Sequence, residues 1–211
     1  AWQVPGVVTV TGVDDLLADG DVSLAVELAV VETDDEAYQG VVGSSVLVLN
    51  TDDDTPGVTV GVPSAEALAE GSAGASLGVS LDSEPADEVR IPVSVDDASQ
   101  LQVSPDELVF DGDNWDTPQQ IAVTPVDDDE ADGDVEVNVI LGASTSNDAD
   151  YAGIDPDDTA FTVLDNDVAG LVVDVVQPFV FSEVGPGRGF LLRLRSKPSA
   201  NVTILVEVDD A

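Results

Sequence analysis

An internal repeat constrains the fold of this chain more than any other feature of its sequence. A shift of 113 residues places Trp2 on Trp115 and Tyr38 on Tyr151, and it needs no gap. The same shift brings identical segments into register, namely residues 18–22 with 131–135 and residues 95–98 with 208–211. Aromatic and acidic positions that keep one register over such a span indicate that the chain repeats one folding unit.

The repeat divides the chain into one complete unit and two partial ones. Residues 58–170 form the complete unit, which is long enough for one hydrophobic core. Residues 1–57 correspond to the C-terminal half of a preceding unit, and residues 171–211 to the N-terminal half of a following one. We expect the chain to be a window on a longer protein whose units continue covalently in both directions. The alternative is head-to-tail completion of the partial units between separate chains.

Short stretches of alternating apolar and polar residues recur along the complete unit, with turn-forming residues between them. Leu77, Val79 and Leu81 alternate with serine and glycine, as expected for a strand with one buried face. Helical periodicity of any length is missing, and the apolar residues are mainly Val, Leu, Ala and Ile. The pattern predicts an all-β fold of tandem immunoglobulin-like antiparallel β-sandwiches with a 113-residue period.

The charge of the chain is extreme, with 44 acidic residues against five basic ones and a net charge of −39. This charge disfavours nucleic acid and anionic membranes as partners and favours cations. No apolar segment is long enough for membrane insertion. The sequence has no Cys and no His, so that disulfides and the usual ligands of zinc, copper and iron are excluded. Oxygen ligands remain, and many converging carboxylates favour Ca²⁺ over Mg²⁺.

The acidic residues of the complete unit cluster where the predicted strands end. Glu70 precedes one strand, and the other clusters follow strands at residues 96–97, 127–134 and 165–167. Because the loops of a Greek-key sandwich gather at its two ends, several clusters are expected to meet at the end that faces the next unit. A solvated, salt-adapted surface is the alternative explanation. The predicted strand 135–141 carries a single acid, however, which favours ligation over a general acidic coat.

The order and spacing of these motifs resemble the Calx-β domain, which occurs in sodium–calcium exchangers, in an integrin subunit and in tandem arrays of giant bacterial surface proteins. The likeness covers the whole chain and is carried by residues 69–71, 81–85, 95–97, 126–129 and 165–167. Residues 110–119 and 148–153 resemble the variant found in long bacterial arrays. The resemblance implies calcium ligands at Glu70, at Asp96 or Asp97, and at Asp127, Asp128, Asp132, Asp165 and Asp167. In the partial units it implies equivalent ligands at Asp14, Asp15, Asp19, Asp52, Asp53, Asp54, Glu183, Asp209 and Asp210.

Other side chains give little support to catalysis. A nucleophile–base pair is not available in the complete unit, which has no His, Cys or Lys, and an active site copied into every unit is not expected, so we expect no enzyme. Trp115 and Tyr151 recur at fixed positions in an aromatic-poor chain and are interpreted as structural anchors. The Asn201 sequon has no counterpart at the equivalent Glu88 and is interpreted as incidental.

The sequence and its resemblance together predict a structural, calcium-binding repeat. It would form a rigid spacer or stalk in a very long extracellular or cell-surface protein of the adhesin type, with neighbouring repeats of the same chain as its main partners. The alternative is a subunit of a self-assembling extracellular filament or sheath, in which copies of the chain bind one another. A calcium-sensing regulatory domain is disfavoured, because a sensor needs one or two units and not an open-ended array.

Overall fold

The computed structural model describes residues 3–30, 32–175, 180 and 182–208, and the regular structure in these residues is β-structure. The strands are, in chain order, β1 (Val22–Val26), β2 (Val46–Asn50), β3 (Val58–Val60), β4 (Ala67–Ala69), β5 (Ala75–Leu81), β6 (Val89–Val95), β7 (Leu101–Ser104), β8 (Glu107–Phe110), β9 (Gln119–Pro125), β10 (Val135–Leu141), β11 (Thr145–Ser146), β12 (Thr159–Leu164), β13 (Leu171–Asp174) and β14 (Leu191–Leu194). No helix with the length and hydropathy of a membrane span occurs among the described residues.

Two sheets build the complete unit. One has the strand order β3-β5-β9-β7, and the other has the order β11-β6-β10-β12-β4, with β8 also paired to β6. All of these pairs are antiparallel except β12 with β4, which is parallel. The predicted all-β, immunoglobulin-like antiparallel sandwich is therefore confirmed.

The core lies between the two sheets and follows the alternation read from the sequence. Leu77 and Val79 of β5 and Ile121 of β9 are fully buried, whereas Ser76 and Gln120 on the outer face are partly or fully exposed. Alternate side chains of a strand point to opposite faces, so one face of each sheet supplies the core. All buried apolar residues of the described chain fall between Leu68 and Val163, within the complete unit.

Tyr151 anchors one end of this core, as interpreted from the sequence. Its side chain is 1% exposed, and its hydroxyl donates a hydrogen bond to the carbonyl of Ser83 (2.8 Å). The same oxygen accepts hydrogen bonds from the Ser83 N–H (3.0 Å) and lies 2.8 Å from the Ser83 hydroxyl. Since the single phenolic hydrogen points to the carbonyl, the Ser83 hydroxyl must act as the donor in the third contact. Trp115 packs half-buried against the core.

The strand pairing of the complete unit recurs in both partial units at the 113-residue shift. Val22 of β1 pairs with Asn50 of β2, and the equivalent pair in the complete unit is Val135 of β10 with Val163 of β12. β13 pairs with β14 in the register that β3 and β5 use. The partial units therefore hold the local pairing of a sandwich without its second layer among the described residues.

Contacts between consecutive units also recur, and they define two equivalent junctions. At the junction with the preceding unit, the Glu84 N–H donates to the Leu16 carbonyl (2.8 Å) and the Asp82 N–H donates to the Gly57 carbonyl (3.0 Å). At the junction with the following unit, the Lys197 N–H donates to the Asp129 carbonyl (2.6 Å) and the Arg195 N–H donates to the Gly170 carbonyl (2.9 Å). Since β5 and β9 are antiparallel, Glu84 after β5 and Glu130 after β9 lie at opposite ends of their sheet. The preceding and following units therefore contact opposite ends of the complete unit.

Candidate metal centre

Three carboxylates converge at the end of the complete unit that faces the following unit. Glu70, Asp165 and Asp167 each place one oxygen within 4.8 Å of the other two, and we call this group the candidate metal centre. The parallel pairing of β4 and β12 brings it together, because both strands end at the same edge of the sheet. The Glu70 N–H donates to the carbonyl of Leu164, the last residue of β12 (3.1 Å). Glu70 is 6% exposed, and both aspartates are half-buried.

Asn166 connects the candidate metal centre to the acidic loop, which we define as residues 126–134. Its side-chain amide donates to Asp127 Oδ1 (3.0 Å) and to the carbonyl of Glu70 (3.4 Å). Its backbone N–H lies 3.5 Å from Glu70 Oε2. An aspartate here would repel Asp127, whereas the amide of asparagine donates to it. The sequence showed Asn166 only as an interruption of an acidic run, and its role as a link depends on the tertiary contact.

Asp165 is held in one orientation by backbone groups. Its Oδ2 accepts from the Gly133 N–H (2.8 Å), and its Oδ1 accepts from the Asp167 N–H (2.7 Å). The N–H of Asp165 itself donates to Asp134 Oδ1 (3.1 Å). Gly133 has a φ of 86°, a conformation that side chains with a Cβ rarely adopt. The acidic loop and the end of β12 therefore form one hydrogen-bonded structure.

The same structure recurs in the preceding partial unit. Asp52 Oδ2 accepts from the Gly20 N–H (2.6 Å), Asp52 Oδ1 accepts from the Asp54 N–H (2.9 Å), and the Asp52 N–H donates to Asp21 Oδ1 (3.0 Å). These bonds surround a cavity of about 200 Å³. All six ligands predicted for this unit line it, namely Asp14, Asp15, Asp19, Asp52, Asp53 and Asp54. The position equivalent to Glu70 would precede residue 1.

Burial raises the pKa of the Glu70 carboxyl and is the strongest influence on it. The Asn166 N–H counteracts this shift in part, and the charges of three carboxylates add to it, namely Asp128, Asp165 and Asp132. A buried carboxylate surrounded by like charges is costly to ionise. A cation with oxygen ligands would offset that cost. Two further predicted ligands, Asp128 and Asp132, thus lie close enough to influence Glu70.

Asp167 and Asp54 occupy equivalent positions, and the pKa of each is shifted in the same direction. Desolvation raises the pKa of Asp167, and the charges of neighbouring aspartates in the acidic loop raise it further. Desolvation likewise raises the pKa of Asp54, and four neighbouring aspartates reinforce the shift. Both sites concentrate uncompensated negative charge that hard cations would neutralise.

The pH dependence of stability follows from the raised pKa of Glu70. When the folded pKa of an acid exceeds its unfolded pKa, ionisation destabilises the fold as pH rises through the folded value. In chelator, we expect Glu70→Gln to be more stable than the original chain at neutral pH. The difference should shrink as pH falls through the raised pKa and vanish below the ordinary glutamate range. Urea unfolding of both proteins across this range measures it, and a pH-independent difference would contradict the assignment.

Asp96 and Asp97 are not among the three carboxylates of the candidate metal centre, and their side-chain oxygens accept hydrogen bonds from other residues. Val95 pairs with Val139, which places Asp96 level with Asn138 in the middle of β10. Both oxygens of Asp96 accept hydrogen bonds there, from the Asn138 N–H (2.9 Å) and from its side-chain amide (2.8 Å). Asp97 instead accepts from the N–H (2.9 Å) and hydroxyl (2.5 Å) of Ser99. These hydrogen bonds lower the pKa of both carboxyls.

The remaining predicted ligands are placed less tightly. Within the acidic loop, Asp128 Oδ1 accepts a hydrogen bond from the Glu130 N–H (2.6 Å). Asp132 Oδ2 lies 3.4 Å from the side-chain amide nitrogen of Gln100. Gln100 is 8% exposed and was not among the predicted site residues. In the sequence, Gln100 is marked only by its position three residues after Asp97. Glu183 is exposed, and Asp209 and Asp210 lie outside the described residues.

No protein-family model matches this sequence, and no curated protein matches it. Among solved structures, the chain is similar to WR4, a C. elegans MSP family member, with 8% sequence identity and a TM-score of 0.31. The match covers 51% of this chain and 96% of that one. A similarity of this size does not extend to function.

Proposed function

We propose that this chain is a calcium-binding structural repeat that forms a rigid spacer in a very long extracellular or cell-surface protein of the adhesin type. One observation carries the proposal: the acidic loop is hydrogen-bonded both to Asp165 of the candidate metal centre and to the following unit. Asp127 contacts Asn166 at the centre, and two residues later the Asp129 carbonyl accepts the Lys197 N–H of the following unit. An ion that orders this loop would therefore also stiffen the junction.

Calcium fits the available ligands better than magnesium does. Ca²⁺ accepts 6–8 oxygen ligands in flexible geometry, whereas Mg²⁺ demands a near-ideal octahedron and releases water reluctantly. Glu70, Asp165 and Asp167 supply oxygens from two strand ends, and Asp127 and Asp128 lie on the adjoining loop. The resemblance to Calx-β domains supports the same ion. Repetition of the site at the 113-residue shift supports a structural function and not an enzymatic one.

A scattering experiment tests the spacer function. We expect Ca²⁺ to lengthen and narrow the distance distribution of the 211-residue chain relative to chelator. The double variant Asp127→Asn and Asp128→Asn should lose this response while its thermal transition stays close to the original in chelator, since neither residue is in the core. Small-angle X-ray scattering at concentrations where the chain is monomeric measures both profiles.

A matched control has the same change of charge at the other end of β12. Asp155→Asn with Asp157→Asn removes two exposed charges from the loop before that strand and should respond to Ca²⁺ like the original chain. An equal lengthening by NaCl at the same ionic strength would contradict calcium ligation and favour a salt-adapted surface. An unchanged response in the Asp127 and Asp128 double variant would remove these residues from the site.

A further inference from the structure

The two junctions share their backbone hydrogen bonds but differ in the charge of the side chains beside those bonds. At the preceding junction, where the complete unit meets the unit before it, the bonds are donated by Asp82 and Glu84. At the following junction, where the complete unit meets the next one, the equivalent donors are Arg195 and Lys197. Two negative charges at one junction are therefore replaced by two positive charges at the other.

The following junction contains an ion pair between two units. Lys197 pairs with Glu130 of the acidic loop, and the two residues also form a parallel β-bridge. The hydrogen bond with Glu130 raises the pKa of the Lys197 ammonium group, and the charges of Asp128 and Asp129 raise it further. Lys197 thus neutralises part of the acidic loop at the point where the two units meet.

The preceding junction has the same backbone bridge without a cation. The equivalent of Glu130 is Leu17 and the equivalent of Lys197 is Glu84, and these two residues also form a parallel β-bridge. Arg90 is the first basic residue of the chain, and both of its ion pairs lie within the complete unit. The negative charge of the preceding junction is therefore not compensated by a basic side chain in the described part of the chain.

Acidic side chains from both units surround a small cavity at the preceding junction. The cavity has a volume of about 80 Å³, and its lining includes Asp19 from the preceding unit and Glu84, Asp148 and Asp150 from the complete unit. None of the ion pairs among the described residues involves these four acids. Like charges that face each other across a contact repel, and salt in solution screens that repulsion.

The glycines that link the units show the same difference in charge. A Cβ atom on Gly57 would lie 2.2 Å from Asp82 Oδ2, so this carboxylate lies directly against the linker of the preceding junction. Thr59 holds it there by donating its hydroxyl hydrogen to Asp82 Oδ1 (2.6 Å). A Cβ atom on Gly170 would lie 3.7 Å from Arg195 Nε. A cationic side chain thus lies against the linker of the following junction.

We propose that the two junctions respond to ionic strength in opposite directions, because the following junction contains its own cations and the preceding junction takes them from solution. The screening length is about 30 Å at 0.01 M salt and about 8 Å at 0.15 M. At low salt, repulsion opens the preceding junction, while the ion pair keeps the following junction closed. At higher salt the preceding junction closes, and the following junction loosens slightly because its ion pair is weakened. The complete unit therefore has a salt-dependent hinge on one side and a fixed joint on the other, independently of calcium binding.

Spin-label distances across each junction test this proposal, since the chain has no native Cys. Leu47→Cys with Ala86→Cys spans the preceding junction, and Ala160→Cys with Ser199→Cys places labels at the equivalent positions across the following one. All four residues are exposed and uncharged. In chelator, double electron–electron resonance should show the first distance distribution narrowing as NaCl rises from about 0.01 M to about 0.15 M, whereas the second broadens or stays the same. The same response at both junctions, or no response at the preceding one, overturns the proposal.

Exchange of the junction charges makes the test directional. Asp82→Arg with Glu84→Lys gives the preceding junction the basic residues of the following one, so most of its salt response should disappear. Arg195→Asp with Lys197→Glu should open the following junction at low salt. Exposed ion pairs of this kind change an open-to-closed ratio by about twofold to fivefold. If either exchange leaves the salt response of its junction unchanged, charge does not control the hinge.

The control for the first exchange makes an equal change of net charge away from both junctions. Glu66→Lys with Asp106→Arg replaces two exposed acids in turns of the complete unit. This double variant should keep the salt response of both label pairs. If it abolished the response of the preceding junction as Asp82→Arg with Glu84→Lys does, net charge and not the junction residues would explain the opening, and the proposal would be wrong. Chelator is present in every sample, so the outcome does not depend on whether the candidate metal centre binds calcium.

Discussion

Excess Ca²⁺ is expected to raise the thermal stability of the complete unit, and Glu70→Gln is expected to remove that gain. An ion that binds only the folded state adds about 2.7 kcal/mol to the free energy of unfolding at 100 times its Kd. For a unit of this size the shift in Tm is on the order of 10 °C. Glu70 is decisive because it is the most buried carboxylate of the candidate metal centre, at 6% exposed.

The effect of Glu70→Gln on the unfolding temperature should have opposite signs in chelator and in Ca²⁺. In chelator, Glu70→Gln removes a buried charge whose pKa is raised, so the variant should unfold at a higher temperature than the original chain. In Ca²⁺ the order should reverse, because the original chain gains the binding energy and the variant does not. Differential scanning calorimetry in chelator and in excess Ca²⁺, at constant ionic strength, measures all four values.

Glu66→Gln is the matched control for this prediction. It makes the same chemical change at an exposed residue before β4, at the opposite end of that strand from Glu70. It should keep the full calcium-dependent shift. If NaCl at matched ionic strength stabilises the original chain as strongly as Ca²⁺, general screening of the −39 net charge explains the effect and specific binding is wrong.

Phe161→Ala is expected to destabilise the complete unit by about 3–5 kcal/mol. The side chain is 1% exposed in β12, and its loss leaves a cavity between the two sheets. β12 also carries Asp165 and Asp167 at its end, so a loosened strand weakens the candidate metal centre as well. Urea unfolding followed by circular dichroism measures the change in the free energy of unfolding.

The equivalent residue in the preceding partial unit provides the control for Phe161→Ala. Val48 is the equivalent of Phe161 in the preceding partial unit, where it is half-buried in a two-stranded sheet. Val48→Ala should leave the main unfolding transition almost unchanged, because that transition reports the core between Leu68 and Val163. If the two variants lost similar stability, the core would not be confined to the complete unit.

The fold class and the strand positions could be predicted because they depend on local patterns. Alternation in a strand is dictated by backbone geometry, so Leu77, Val79 and Leu81 had to share one face. All three are buried, at most 3% exposed. The placement of acidic residues at strand ends was likewise evident from the amino-acid sequence, and it predicted that some of them would converge.

Which carboxylates converge was decided by tertiary pairing alone. Glu70 lies 96 residues from Asn166 in the sequence, and only the parallel pairing of β4 with β12 brings them together. Asp96 looked equally suitable as a ligand, yet its register with Asn138 directs both of its oxygens to β10. A one-residue difference in register changes what a side chain faces, and register depends on the packing of the whole sheet. Local composition therefore determined that this protein concentrates acids at strand ends, and long-range pairing determined which of them meet.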